Sequence, residues 1–372
     1  MPSPAALVAA LEGVLDGRES GIVPVPAAQP EAQTLTTALR VGEEVDDDVA
    51  VIVSTSGTTG TPKGAMLTAA ALIASADATN ERLGGPGTWL LALPAHHVAG
   101  LQVVVRSVIS GTVPIALSPS FEAGEMRAAV EAMGSGRRYA SLVAVQLDKA
   151  LSDPAATAAL AELDAVLIGG GPLPVAVRER AMAAGISVVR TYGMSETAGG
   201  CVYDGVALQG VRVRVADDGR VALGGDTIAK GYRNPTDPDP FAERGWFQTD
   251  DVGALDDSGT LRILGRTDDA ISTGGLTVMP ALVEAALATH PAIADSAVFG
   301  VTDARLGQRV AVAVVLVTGA AAPSPAELRE HVAATLNATA APREVHVVDQ
   351  LPRRGIGKVD RRELTKRFDN QG

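Results

Sequence analysis

The sequence predicts an α/β protein: a large amino-terminal domain of alternating strands and helices with a small β unit, followed by a small α+β domain. Three observations predict it. A short apolar strand at residues 49–53 runs into a loop rich in Gly, Ser and Thr and then an apolar helical stretch at 67–78, the opening of an α/β unit. Further apolar runs end in glycine loops and are separated by segments with helical periodicity. Beyond about residue 210 the texture changes to short strands broken by turn signals, and after Asp268 a fresh alternation begins.

Residues 1–17 read as a helix because Ala5, Leu7, Val8, Leu11 and Leu15 recur at helical spacing. A Pro- and Ala-rich connector occupies 23–32. Strands are expected at 89–93, 111–117, 141–145, 165–168 and 187–190, with helices at 123–133 and 174–184 among the intervening segments. Ligands of such sheets gather at the carboxyl ends of the strands. Residues 211–215 and 261–264 alternate as short strands, with turns at 217–219 and 256–259. The last part reads as helix 280–289, strands 296–300 and 310–317, and helix 325–336. The expected domains are 1–267 and 268–372.

Composition limits what such a protein can do. Of 372 residues, 47% are hydrophobic and only 3% aromatic, with 40 glycines, so the core must be built from small aliphatics. Lys and Arg number 31 against 43 Asp and Glu, a net charge of −12 that suits neither duplex nucleic acid nor an anionic membrane. The single cysteine, Cys201, excludes a disulfide framework and a Cys-cluster metal site. The longest clean apolar run, 310–317, is far shorter than the ~20 residues of a spanning helix. Glu12, Asp16 and Arg18 stand where a signal peptide would place its apolar core. A soluble cytoplasmic protein, with no nucleic-acid partner and no membrane insertion, is the expectation.

The most informative segment is residues 55–64, Thr-Ser-Gly-Thr-Thr-Gly-Thr-Pro-Lys-Gly. Glycines let backbone N–H groups approach phosphate oxygens, hydroxyls add donors and Lys63 adds charge. It is not a Walker loop, since no Gly-Lys-Ser/Thr follows a glycine five positions earlier. This loop resembles, without departure, the T-S-G-T-T-G-x-P-K-G signature of the adenylate-forming family of acyl-CoA synthetases, adenylation domains and luciferases. The resemblance assigns Thr55, Ser56, Gly57, Thr58, Thr59, Gly60 and Lys63 to the nucleotide phosphates.

Further family signatures follow in order. Residues 191–197, Thr-Tyr-Gly-Met-Ser-Glu-Thr, resemble Y-G-M-T-E-T. This implies that Tyr192 and Gly193 lie at the adenine, that Ser195 donates to the α-phosphate and that Glu196 helps hold Mg²⁺, an oxygen-seeking ion. Gly169, Gly170 and Gly171 resemble the glycine turn beside the base, with Gly169 bordering the acid. Residues 246–253 resemble G-W-F-x-T-G-D-[IV]-G. That makes Asp251 the ribose ligand and puts Asp250 where the family has glycine, a second carboxylate able to perturb the first. Residues 265–269 resemble G-R-x-D-D, so Arg266 contacts ribose or phosphate and Asp268 is the hinge of a mobile second domain. In 271–280 the family's lysine is Ser272, and Gly275 lies against the pantetheine tunnel; alone, Gly274-Gly275 would be a hairpin turn. Residues 351–362 resemble L-P-[RK]-T-x-x-G-K-[IV]-x-R and make Lys358 the catalytic lysine. His97, in P-x-x-H-x-x-G-[LM], would gate or orient the acid, with a satisfied core histidine as the competing reading. His96 and His97 are adjacent, so on a strand they would point apart.

The implied cofactors are ATP, Mg²⁺ and CoA, and the implied partner is a small carboxylic acid; a homodimer stays open. Residues 141–149, Ser-Leu-Val-Ala-Val-Gln-Leu-Asp-Lys, are similar to the S-L-V-P-T-Q-L-x-R run of 2-succinylbenzoate–CoA ligases of menaquinone synthesis, with Ala144, Val145 and Lys149 as departures. That acid carries a second carboxylate, so its pocket needs a cation, and Lys149 stands at the family's basic position. A solvated helix lysine is the competing reading. Residues 195–203 and the Ala-, Val- and Gly-rich composition also resemble the short actinobacterial ligases. Only 54 residues precede the loop, so a shortened but complete catalyst is expected. Other aryl or short acyl-CoA ligases, a stand-alone adenylation domain and a non-catalytic nucleotide-binding relative are the alternatives.

Overall fold

The computed structural model describes residues 3–55, 62–354 and 358–369. Its centre is a seven-stranded sheet. Five strands run parallel in the order Ile115–Ala116, Thr88–Leu91, Arg138–Val143, Ala165–Gly169 and Val188–Met194, and Gly199–Tyr203 and Val206–Ala207 continue it antiparallel. Side chains alternate faces along each strand. Trp89, Leu91, Tyr139, Ala165 and Leu167 enter one apolar cluster, while Leu90, Ala140, Leu142, Val166 and Ile168 enter another. Both faces are therefore covered, as parallel sheets require. Helices Pro4–Leu15, Ala69–Leu83 and Val98–Ile109 pack together at the first cluster, and Met126–Ala132, Ala144–Leu151, Pro154–Ala161 and Val175–Ala183 at the second.

The strand Val49–Val53 does not join this sheet, contrary to the α/β unit read from the sequence. It pairs antiparallel with Ala65–Thr68, which in turn pairs with Gly231–Tyr232. The strands on either side of the signature are therefore antiparallel neighbours, and the helix starts at Ala69, not at residue 67. Thr68 caps it, its Oγ1 accepting from Ala71 N at 3.1 Å. A helix, Gln29–Ala38, begins within the expected connector and runs past it; it buries none of its residues and so has no apolar stripe to reveal it.

A four-stranded antiparallel sheet follows: Val211–Val215, Arg220–Gly225, Trp246–Leu255 and Leu261–Arg266. One 3₁₀ turn, Thr267–Asp269, separates it from the next sheet. There Leu276–Val278, Ile271–Thr273, Gly307–Leu316 and Ile293–Asp303 are antiparallel neighbours, and Glu344–Val347 lies parallel to Gly307–Leu316. Val283, Leu287, Leu328 and Val332 cover one face, and Leu364 and Phe368 cover the other. Among the described residues no helix is long and apolar enough to cross a membrane.

Candidate active site

The parallel strand Val188–Met194 ends where Gly193 passes another stretch of backbone. A Cβ on Gly193 would stand 2.1 Å from Gly199 O, so only glycine fits. This close pass lets the chain turn at once through Ser195–Thr197 into the antiparallel strand Gly199–Tyr203. Tyr192, Ser195 and Glu196 thereby fall at the carboxyl end of the sheet. Gly169 ends the neighbouring strand, and Gly170 and Gly171 form the next turn.

Tyr192 Oη donates to Asp251 Oδ2 at 2.6 Å. Asp251 is 7% exposed, and the strand register sets it opposite Arg266, whose Nη1 lies 3.4 Å from Oδ1. Burial raises the Asp251 carboxyl above its ordinary pKa, while Tyr192 and Arg266 pull it back and Asp250 adds a weaker upward push. Burial and the adjacent carboxylate also push the Tyr192 phenol far up, which keeps it a donor. Asp250 itself is exposed, 3.5 Å from Arg266 Nη2. Arg266 also forks onto Asp268 at 2.8 and 2.9 Å. Burial works against the guanidinium charge, but Asp268, Asp251 and Asp250 outweigh it. Arg266 in turn holds Asp268 below the ordinary carboxylate range against the effect of burial. The sequence-derived ribose group and hinge are thus one connected network.

The phosphate side lies beside it. Ser56, Gly57, Thr58, Thr59 and Gly60 fall outside the described residues. Thr55 Oγ1, at the edge of that loop, is buried with no partner among the described residues, a donor suited to an incoming oxygen. Gly64 has φ +73°, and a Cβ there would meet Leu39 Cδ2 at 2.6 Å, which fixes the chain just after Lys63. Lys63 Nζ stands 5.1 Å from the ring centroid of Tyr232, and Tyr232 Oη donates to Glu196 Oε1 at 2.6 Å. Glu196 is 8% exposed. Burial raises its carboxyl, against the Tyr232 hydrogen bond and the charges of Lys63 and Lys358. No cluster of three or more His, Cys, Asp or Glu able to cage a metal occurs among the described residues. One buried carboxylate flanked by cations instead suits an ion that arrives on phosphates, the habit of Mg²⁺.

Lys358, on the short exposed strand Lys358–Val359, extends its charge to His97, Glu196 and Asp251 together. His97 is not on a strand. It lies in a turn and precedes helix Val98–Ile109, with its ring 4.3 Å from that of His96 instead of pointing away. Burial, then His96 and Lys358, lower the His97 pKa to about 4, so its imidazole is neutral at pH 7. Gly275 and Gly274 make the tight turn between Ile271–Thr273 and Leu276–Val278, and Ser272 N donates to Gln308 Oε1. Lys149 is not brought to this group. Its ammonium lies 3.5 Å from both Ser120 O and Glu122 Oε2, on an exposed face. Sequence reasoning missed Tyr232 and Thr249, whose Oγ1 accepts from Asp251 N at 3.0 Å. The Gly-Tyr pair at 231–232 was the available signal, but no local spacing ties it to residues 63 and 196.

A covered parallel sheet, with a buried carboxylate facing two lysines and a second carboxylate held by a phenol and an arginine, defines a nucleotide-using enzyme of the adenylate-forming class. The chain belongs to the AMP-binding enzyme family: the AMP-binding enzyme model matches residues 7–232, and that of the AMP-binding enzyme C-terminal domain matches 282–358. It is 65% identical to a probable 2-succinylbenzoate–CoA ligase of Mycobacterium tuberculosis, over 98% of this chain and 95% of the relative. It is 35% identical to the 2-succinylbenzoate–CoA ligase of Geobacillus kaustophilus, over 96% and 76%. Among solved structures it is similar to the o-succinylbenzoate CoA synthetase of Bacillus subtilis in complex with the acyl-adenylate intermediate OSB-AMP. The TM-score there is 0.73 at 29% identity, over 85% of this chain and 69% of that one. ATP-bound MatB from Rhodopseudomonas palustris gives a TM-score of 0.78 at 27% identity, over 89% and 70%.

Proposed function

We propose that the protein joins 2-succinylbenzoate to CoA at the expense of ATP, within menaquinone synthesis in the cytoplasm. A carboxylate oxygen of the acid attacks the α-phosphorus of ATP, the bond to the β-phosphate breaks and pyrophosphate leaves. The CoA sulfur then attacks the acyl carbon of the adenylate, the C–O bond to AMP breaks, and the thioester is formed. Glu196 would hold Mg²⁺ bound to the phosphates, and that ion supplies charge neutralisation at the phosphoryl group. Tyr192 and Asp251 bind the nucleoside, Arg266 keeps Asp251 charged, and neutral His97 orients the acid. Lys358 meets the charge gathering on the reacting oxygens, an effect worth on the order of 10²–10³ in rate per donor. Residues 268–372 would then turn about Asp268, withdrawing Lys358 and bringing Gly275 to the thiol's path.

The observation that carries this reading is the pair of held carboxylates: Asp251, met by Tyr192 at 2.6 Å and by Arg266 at 3.4 Å, and Glu196, met by Tyr232 at 2.6 Å beside Lys63. The identity of the acid is supported by the kinship with ligases named for 2-succinylbenzoate. An acid panel with ATP and CoA, reading AMP release and thioester mass, tests it. The expected result is a thioester with 2-succinylbenzoate. Adenylate formation without transfer to free CoA would favour a stand-alone adenylation domain instead.

A further inference from the structure

The structure raises the question of how Lys63 and Glu196 avoid each other. A lysine and a buried glutamate in one pocket attract strongly where water is scarce, and a direct pair would leave neither free for a nucleotide. Yet no ion pair joins them among the described residues; both instead contact Tyr232. Its hydroxyl takes one oxygen of Glu196 at 2.6 Å, and its ring carries the Lys63 ammonium at 5.1 Å. A phenol hydrogen-bonded to a carboxylate makes a charge-assisted bond, and an ammonium over an aromatic face gains cation–π attraction. The ring is itself fixed, edge-on to Phe241 at 5.1 Å and 83°.

The backbone around Tyr232 serves both partners. Ala229 N donates to Glu196 O at 2.9 Å. Gly231 and Tyr232 pair with Met66 and Ala65. Arg233 N then donates to Gly64 O at 2.8 Å and Asn234 N to Lys63 O at 2.9 Å. The Asn234 amide adds bonds to Ala38 O and Pro62 O at 2.8 Å each. Five residues between Ala229 and Asn234 thus fix the chain at Lys63 and the turn that carries Glu196.

We propose that Tyr232 is a positioning residue of the phosphate site, a spacer that holds Lys63 and Glu196 apart so that both charges meet a metal-carried phosphate instead of each other. This rests on the nucleotide reading above. The test is calorimetric titration of the full chain with ATP over a range of Mg²⁺ concentrations, without acid or CoA. Tyr232→Phe keeps the spacing but loses the hydrogen bond that orients Glu196, so Mg·ATP binding weakens about tenfold, the scale of a lost bond to a charged group, while Mg²⁺-free ATP binding stays within about twofold. Tyr232→Leu removes the spacer too and weakens both, as Lys63 closes on Glu196. In steady state the Phe variant raises KM for Mg·ATP and leaves thioester formation from supplied acyl-adenylate unchanged. Equal weakening with and without Mg²⁺ in the Phe variant, or no weakening at all, overturns the proposal and spares the nucleotide reading. Failure of the unsubstituted chain to bind Mg·ATP overturns both. If the Leu variant does not fold, the Phe variant decides alone.

Discussion

Tyr192 and Asp251 are 59 residues apart in the chain and belong to different sheets, yet one 2.6 Å hydrogen bond joins them. The bond lowers a carboxyl that burial raises, and so favours its ionised, accepting form. For Tyr192→Phe the ring survives but that bond is lost, and the Asp251 pKa rises further. Nucleotide affinity needs the ionised form, so it falls as pH drops through this pKa. The acid limb of the ATP-binding profile therefore moves to higher pH in the variant, with a loss of about tenfold at neutral pH, the scale of a hydrogen bond to a charged group. Titrations from pH 5 to 8 check this; superimposable profiles would remove Tyr192 from the control of Asp251.

Glu196 sets function against stability. Burial raises its carboxyl pKa above the unfolded value, so the folded state binds the proton more tightly. By linkage the associated stability is present below the unfolded pKa and is lost as pH rises through the folded one. At pH 7, above the unfolded value, burial of this group therefore costs stability. Glu196→Gln keeps an acceptor for Tyr232 and removes the buried charge, so melting at pH 7 rises by ~2 °C, on the scale of a modest gain for a domain of this size. The same variant loses adenylation by about 10²–10³. A lower melting temperature at pH 7 would contradict the sign.

Most of this site was legible in the sequence because glycine, lysine and carboxylate spacing within one loop is local. Gly193, Lys63, Glu196 and Asp251 sit in short signatures that can be read locally. What was not legible depends on pairing between distant segments. Leu67 and Thr68 continue an apolar run into a helix, so they read as helix until they are seen paired with Val51 and Val49. Tyr232 is polar at one atom only, and its meaning lies in Glu196 and Lys63, 36 and 169 positions away. His96 and His97 read as diverging because an extended strand was assumed, whereas the turn before Val98–Ile109 brings their rings together.

Lys149 is a loosely held candidate cation. Its 3.5 Å approach to Glu122 joins two side chains that are each about half exposed, and such pairs contribute no more than about 1 kcal/mol. Release toward a second carboxylate of the acid is therefore cheap. Lys149→Ala is expected to raise KM for 2-succinylbenzoate about tenfold, the worth of one charge-assisted hydrogen bond, and to leave KM for ATP unchanged. Initial rates at varied acid and fixed ATP measure it. An unchanged acid KM would leave Lys149 as a surface partner of Glu122.

Lys358 is the residue proposed to separate the two half-reactions. Its charge falls on His97, Glu196 and Asp251, the groups assigned to acid, phosphate and ribose, but its strand belongs to the part of the chain beyond Asp268. If that part turns away before the thiol arrives, the lysine serves adenylation alone. Lys358→Ala then loses about 10²–10³ in pyrophosphate release, the worth of one charge-stabilising donor, and retains thioester formation from supplied acyl-adenylate within about threefold. Single-turnover assays of each half, with pyrophosphate and thioester read separately, decide the matter. Equal losses would mean that Lys358 stays at the reacting atoms throughout, and the turn about Asp268 would have no part in the reaction.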